Sequence, residues 1–132
     1  MTKFYVENDL PDNLIVVAGL NDILKEKREH GTVNCKEVSD RVINIGRMAH
    51  SSGVGRECIS EIIKPKFRDC HPFVNEVNEL IRLACLSEGF TFISHGNIGL
   101  SDLGDNLHVS RDGNDKLKHN ILSQCYTYDR SY

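Results

Sequence analysis

Three short apolar segments, separated by segments of helical character, set the tightest limit on how this chain can fold. Leu14-Ile-Val-Val-Ala18 is an apolar run between Pro11 and Gly19. Its continuity fits a strand buried on both faces, as in a parallel sheet. Glu57 to Ile63 carries Cys58, Ile59, Ile62 and Ile63, and Pro65 stops it, which places a second strand over Cys58–Ile63. Phe90 to Ser94 supplies a third, with Phe90–Ile93 as its main part. After the first strand come Asn21-Asp22 and a charged segment, Lys25 to His30, and the first clear helix lies beyond them. A helix then starts at Asn34, with Glu37 three residues on as in a capping box. Val38, Val42, Ile45 and Ala49 recur at helical spacing, and Ser51-Ser52-Gly53 ends the helix. Pro72 fits the first turn of the next helix. Val74, Val77, Ile81, Ala84 and Cys85 form its apolar stripe, and Gly89 stands where a left-handed residue ends it. Ser110 caps a last helix containing Leu117, Ile121 and Leu122.

The order β-α-β-α-β-α implies an α/β domain, a parallel sheet with helices packed on it. With the strands in sequence order, both crossover helices fall on one face. Only the C-terminal helix remains for the other. One helix covers three strands poorly, so the pattern predicts an under-covered face.

A chain of 132 residues accommodates one such domain, and no repeat, low-complexity tract or linker divides it. A formal charge of -3 and no basic patch argue against nucleic acid or an anionic membrane as partner. The longest apolar run, Leu14 to Leu20, falls far short of the ~20 residues of a membrane helix. Met1 to Asn13 has one lysine and no apolar stretch, unlike a secretory signal. A cytoplasmic location is the expectation. The five cysteines are odd in number and widely spaced, without a Cys-x-x-Cys, so free buried thiols are expected rather than a disulfide framework or a zinc site. Cys70-His71 is the one Cys-His neighbour pair, and adjacent side chains on a helix point apart. No metal or cofactor is expected.

In a parallel sheet, sites lie at the carboxyl ends of the strands. Two segments fall there: Gly19-Leu-Asn-Asp22 after the first strand, and Asp105-Asn-Leu-His108 between the third strand and the last helix. Asn21 offers an amide N–H to an oxyanion. Asp105 can hold one nitrogen of His108 and leave the other as a base. Taken singly, each also fits a plainer role, Asn21-Asp22 as turn residues, Asp105 bonding its own backbone and His108 at the surface.

The whole arrangement resembles the Ser-Gly-Asn-His (SGNH) hydrolases, the GDSL esterases and lipases. Strand-Gly-x-Asn-Asp is followed by two αβ units and then by Asp105-Asn-Leu-His-Val-Ser-Arg-Asp-Gly-Asn114, which is similar to the family's "DGxHLSxxGN". Ile62-Ile-Lys-Pro-Lys-Phe67, Phe73 to Ile81 and Gly89 to Ser94 look like the intervening strand end, helix and last strand. The resemblance implies a three-layer αβα, flavodoxin-like SGNH fold truncated to a three-stranded parallel sheet. It places a partial domain at residues 14–124, with an N-terminal segment 1–13 and a tail 125–132. It makes Asp105 and His108 the catalytic acid-base pair, Asn21 with Gly19 the oxyanion hole, and an acyl ester or carbohydrate ester the ligand.

The family's nucleophile lies in a Gly-Asp-Ser block ahead of the Gly-x-Asn block. The thirteen residues before Leu14 contain no serine. Ser94 and Ser101, nearest in sequence to the Asp-His segment, are not on a strand-to-helix turn. The expectation is therefore an SGNH-like chain without its nucleophile, inactive alone, a pseudoenzyme. A binding or assembly module and a hydrolase with an unusual nucleophile are the competing readings. Strand Leu14–Ala18, without its family neighbour, would present an open edge prone to self-association.

Overall fold

The computed structural model describes residues 13–126. The chain up to Asp12 and the tail from Thr127 lie outside the described residues, and with them most of the expected N-terminal segment and tail. Strands β1 (Asn13–Val16), β2 (Arg56–Ser60) and β3 (Thr91–Ile93) form one sheet in the order β1-β2-β3. Both pairings are parallel, with Val16 opposite Ile59 and Ile59 opposite Phe92. The class is α/β, as the alternation requires.

Side chains alternate across the sheet, and the two faces meet unequal partners. Leu14, Val16 and Ile59 pack against helices α2 (Cys35–Ser51) and α3 (His71–Glu88). Val38, Val42, Ile43, Val74, Val77 and Ile81 complete that core. Burying each such Val or Ile contributes about 1.5–3 kcal/mol. On the opposite face Ile15, Cys58 and Ile93 meet Ile121 of α4 (Arg111–Ile121) and Cys125 in the π-helical turn Leu122–Tyr126. Only Cys58, Ile93 and Cys125 are fully buried in that second cluster among the described residues. Val17 and Leu122 stay 60% exposed. This is the thin cover that one helix over three strands predicts.

The caps follow their local chemistry. Asn34 Oδ1 accepts the Glu37 N–H at 3.1 Å and starts α2. Ser110 Oγ accepts the Gly113 N–H at 3.2 Å and starts α4. Gly89, at φ 78°, ends α3 in the left-handed conformation. Ile43, outside the expected α2 stripe, belongs to the core, and Gly46 admits the Phe90 ring where a Cβ would stand 2.8 Å from Cε2.

Three expectations need correction. The first helix is not the one at Asn34 but α1 (Leu20–His30), which includes the charged segment. Its charged sequence hid it, because a surface helix buries only one narrow side, here Ile23 with Leu20 and Leu24 partly covered. Asp22 in its first turn and Lys27, Arg28 and His30 in its last complement the helix dipole. The strands are also shorter than Leu14–Ala18, Cys58–Ile63 and Phe90–Ile93. β2 stops at Ser60 because the buried Asn78 amide takes over the backbone of Ile62. The Ile62 N–H donates to Oδ1 at 2.8 Å, and Nδ2 donates to the Ile62 carbonyl at 3.0 Å. Finally, the polar segment 95–109, between β3 and α4, is not loop throughout. It holds a 3-10 turn, Leu100–Asp102, and Asp102 is buried against Lys116 at 3.0 Å.

Candidate functional site

A cleft of about 520 Å³ opens at the carboxyl ends of β1 and β2. Residues 17–21 form one wall and residues 60–63 the floor. Leu107, His108 and Val109 form the second wall, and Leu117 and Ile121 of α4 close it. Asn21 and His108, far apart in the chain, therefore line one cavity. Asp105 lies behind His108 rather than in the lining.

Chain direction explains how each arrives. After β1, Gly19 takes φ 111°, a left-handed value that turns the backbone straight into α1. The left-handed φ selects glycine, and a Cβ there would also push the Ile62 methyl, 2.8 Å away, aside. Asn21 thus sits exposed in the first turn of α1. On the other wall, an antiparallel bridge between Leu103 and Val109 closes the Asp105–His108 turn, with the Gly104 N–H donating to the His108 carbonyl at 2.8 Å. The Lys66 N–H donates to the Asn106 carbonyl at 2.9 Å and ties this turn to the chain after β2.

Within the turn, Asp105 is fully engaged. Its Oδ1 accepts the backbone N–H groups of His108 at 2.7 Å and Leu107 at 2.8 Å. Its Oδ2 lies 2.9 Å from His108 Nδ1. The His108 backbone N–H first, then its ring and the Leu107 N–H, hold the Asp105 carboxyl well below the usual carboxylate range. An ionised carboxylate only accepts, so Nδ1 carries the proton, and in the neutral ring Nε2 carries the lone pair. No hydrogen bond occupies Nε2 among the described residues. His108 is exposed, with 79% of its side chain accessible.

A second histidine assembly was not foreseen from the sequence. His95, only 3% exposed, lies two residues beyond the end of β3. Asn120 Nδ2 donates to its Nδ1 at 3.0 Å and to Asn97 Oδ1 at 2.8 Å. His95 Nε2 lies 2.8 Å from Ser60 Oγ, and Ser60 Oγ lies 3.1 Å from the Glu61 carbonyl. The donors resolve in one direction. Nδ1 accepts from Asn120, Nε2–H donates to Ser60, and the Ser60 hydroxyl donates to Glu61. The His95 N–H donates in turn to Glu61 Oε1 at 2.9 Å. Burial pushes His95 toward its neutral form. Ser60 does reach the cleft lining. Its neighbouring imidazole, however, hands it a proton instead of removing one, so the chain of bonds is a polar core and not an activated serine.

Ser94 and Ser101 do not line the cleft. Ser94 is exposed and paired through its backbone with Gln124, and Ser101 lies in the 3-10 turn. The described residues contain no helix long and apolar enough to cross a membrane, and all five cysteines are free and buried. Neither a scan of protein-family models nor a search of curated proteins found a match for this chain.

Proposed function

We propose that the chain is an SGNH-hydrolase-like domain whose cleft binds an acyl ester or its carboxylate product and does not form an acyl-serine. The observation that carries this reading is His108, its Nδ1 occupied by Asp105 and its Nε2 free, in one cleft with Asn21. In such a site Nε2 takes a proton or donates one to the ligand, Asp105 holds the ring, and the Asn21 amide meets the oxyanion beside Gly19. Among the described residues, no serine in the cleft stands beside a basic imidazole nitrogen. The described residues that would act as one unit with a nucleophile thus lack the attacking atom, and such units lose nearly all covalent catalysis when one member is missing.

Two measurements test it. Purified protein should hydrolyse p-nitrophenyl butyrate no faster than its His108→Ala variant, and a fluorophosphonate probe should label no serine. Stoichiometric labelling abolished by His108→Ala would make the chain an active hydrolase instead. Titration with butyrate, followed by amide NMR, should perturb Asn21, Leu107 and His108. Perturbations confined to other surfaces would remove the ligand reading.

The sheet edge favours a second reading, an assembly module. Among the described residues β1 pairs with β2 on one side only, and Val17 beyond it is 60% exposed. A second copy adding its β1 there would satisfy the open backbone groups. Sedimentation at micromolar concentration should then show a dimer. A monomer with a strongly protected Val16 amide would exclude it.

A further inference from the structure

Beyond Ile121 the chain does not leave the sheet. The turn Leu122–Tyr126 is fastened down at two points. The Ser94 N–H donates to Gln124 Oε1 at 2.7 Å, and Gln124 Nε2 donates to the Ser94 carbonyl at 2.8 Å, so one side chain copies a strand's pairing at the end of β3. The Arg56 guanidinium donates to the Cys125 carbonyl. Between these fastenings the Cys125 side chain enters the small second core, fully buried with Cys58 and Ile93. There Cys58 and Cys125 pack together, each fully buried in a cluster of three residues. Two cysteines distant in sequence are thus held together by polar contacts that involve neither thiol.

We propose that Cys58 and Cys125 are a redox site, a thiol pair that a peroxide converts to a disulfide locking the C-terminal turn onto β2. The neighbouring Cys58 thiol, and then the Arg56 charge, draw the Cys125 thiol below its usual range, while the same contact pushes Cys58 up. Cys125, on the terminal turn with the Arg56 guanidinium at its carbonyl, is the attacking thiolate, and Cys58, on the central strand, is the resolving thiol. It attacks one oxygen of hydrogen peroxide, the O–O bond breaks, and Cys125 becomes a sulfenic acid with hydroxide as leaving group. Cys58 then attacks that sulfur. The S–O bond breaks, the S–S bond forms, and the hydroxyl leaves as water with the Cys58 proton. Two thiols are oxidised, one peroxide is reduced, and two waters result. Access requires only that the exposed-sided turn around Leu122 opens locally. The remaining cysteines are poor competitors. Burial pushes Cys35 up to about 12 and Cys85 up to about 11, and raises Cys70. The bond would immobilise α4, whose Leu117 and Ile121 form a wall of the cleft. The inference stands independently of the ester reading, since neither thiol lines the cleft.

The test treats the full chain with hydrogen peroxide and maps its peptides without reductant. A monomer carrying one cross-link between the Cys58 and Cys125 peptides is expected, with Tm raised on the order of 10 °C and restored by dithiothreitol. Cys58→Ser and Cys125→Ser should each abolish both effects. If either variant fails to fold, the wild-type peptide map decides alone. Cys125 ending as a sulfinate, a cross-link to Cys35, Cys70 or Cys85, an intermolecular bond, or no oxidation would each overturn the proposal.

Discussion

His95 and His108 lie on the same side of the sheet, each beside side chains with which a histidine can do chemistry, and they differ in what is left over. His95 has both ring nitrogens occupied, by Asn120 and Ser60, and is 3% exposed. His108 has one nitrogen held by Asp105 and the other open beside a cleft. The more complete array, Ser60-His95-Asn120, is the less reactive one, because its donors and acceptors already match. A chain of hydrogen bonds shaped like a catalytic one is therefore no sign of catalysis until its protons are assigned. The unspent valence marks the site.

The sharpest way to break this contrast is stability. His95→Ala removes a buried ring and leaves Ser60 and Asn120 without their partner, so it should cost about 3 kcal/mol in urea unfolding. His108→Ala should stay within about 0.5 kcal/mol. Equal losses would erase the distinction between a core histidine and a site histidine.

Acid should separate the two next. Burial lowers the folded-state pKa of His95. The unfolded chain then takes up the proton first, so stability should decline as pH falls below the ordinary histidine value of about 6.5, and the loss is complete once pH is below the lowered value. Thermal melts from pH 7.5 to 5 should show this slope, and His95→Gln should flatten it. A slope unchanged in His95→Gln would place its origin elsewhere.

Ligand contact should move in the opposite sense. His108→Ala should weaken butyrate binding several-fold, since a charged hydrogen bond is worth about 1.5–3 kcal/mol when buried and less at this exposed position. Asn120→Asp, conservative in shape, should leave that binding unchanged while disturbing the His95 resonances. Isothermal titration with both folded variants reads the difference.

The smallest effect belongs to Asp105. Its carboxyl is held down by the His108 and Leu107 donors, so any stabilisation it gives is present above the ordinary Asp value of about 3.9 and fades only as pH falls through the lower, folded-state value. Carboxyl-carbon NMR should find its midpoint clearly below the ordinary Asp value of about 3.9. A normal midpoint would mean that the turn is not formed in solution.

Much of this was legible from local sequence. Asn34 with Glu37, Ser110 with Gly113, and Asp105 with His108 are each three residues apart, within reach of a single turn, so their bonds follow from short-range geometry. The alternating apolar and helical segments likewise dictate a parallel sheet and the shortage of helix on one face. Helix α1 escaped notice because a charged surface helix carries little hydrophobic signal. Ser60, His95 and Asn120 escaped because nothing local links them.

What the sequence by itself determined, then, is the α/β class, the main caps and the Asp105–His108 turn, all consequences of periodicity or of contacts within a few residues. Only the tertiary structure decided that β2 ends where Asn78 captures Ile62, that Asn21 and His108 share a cleft, that His95 is buried and spent, and that Cys58 meets Cys125. Each of those depends on chain closure over tens of residues, where burial and hydrogen-bond partners are set by how the layers pack and not by which residues are neighbours along the chain.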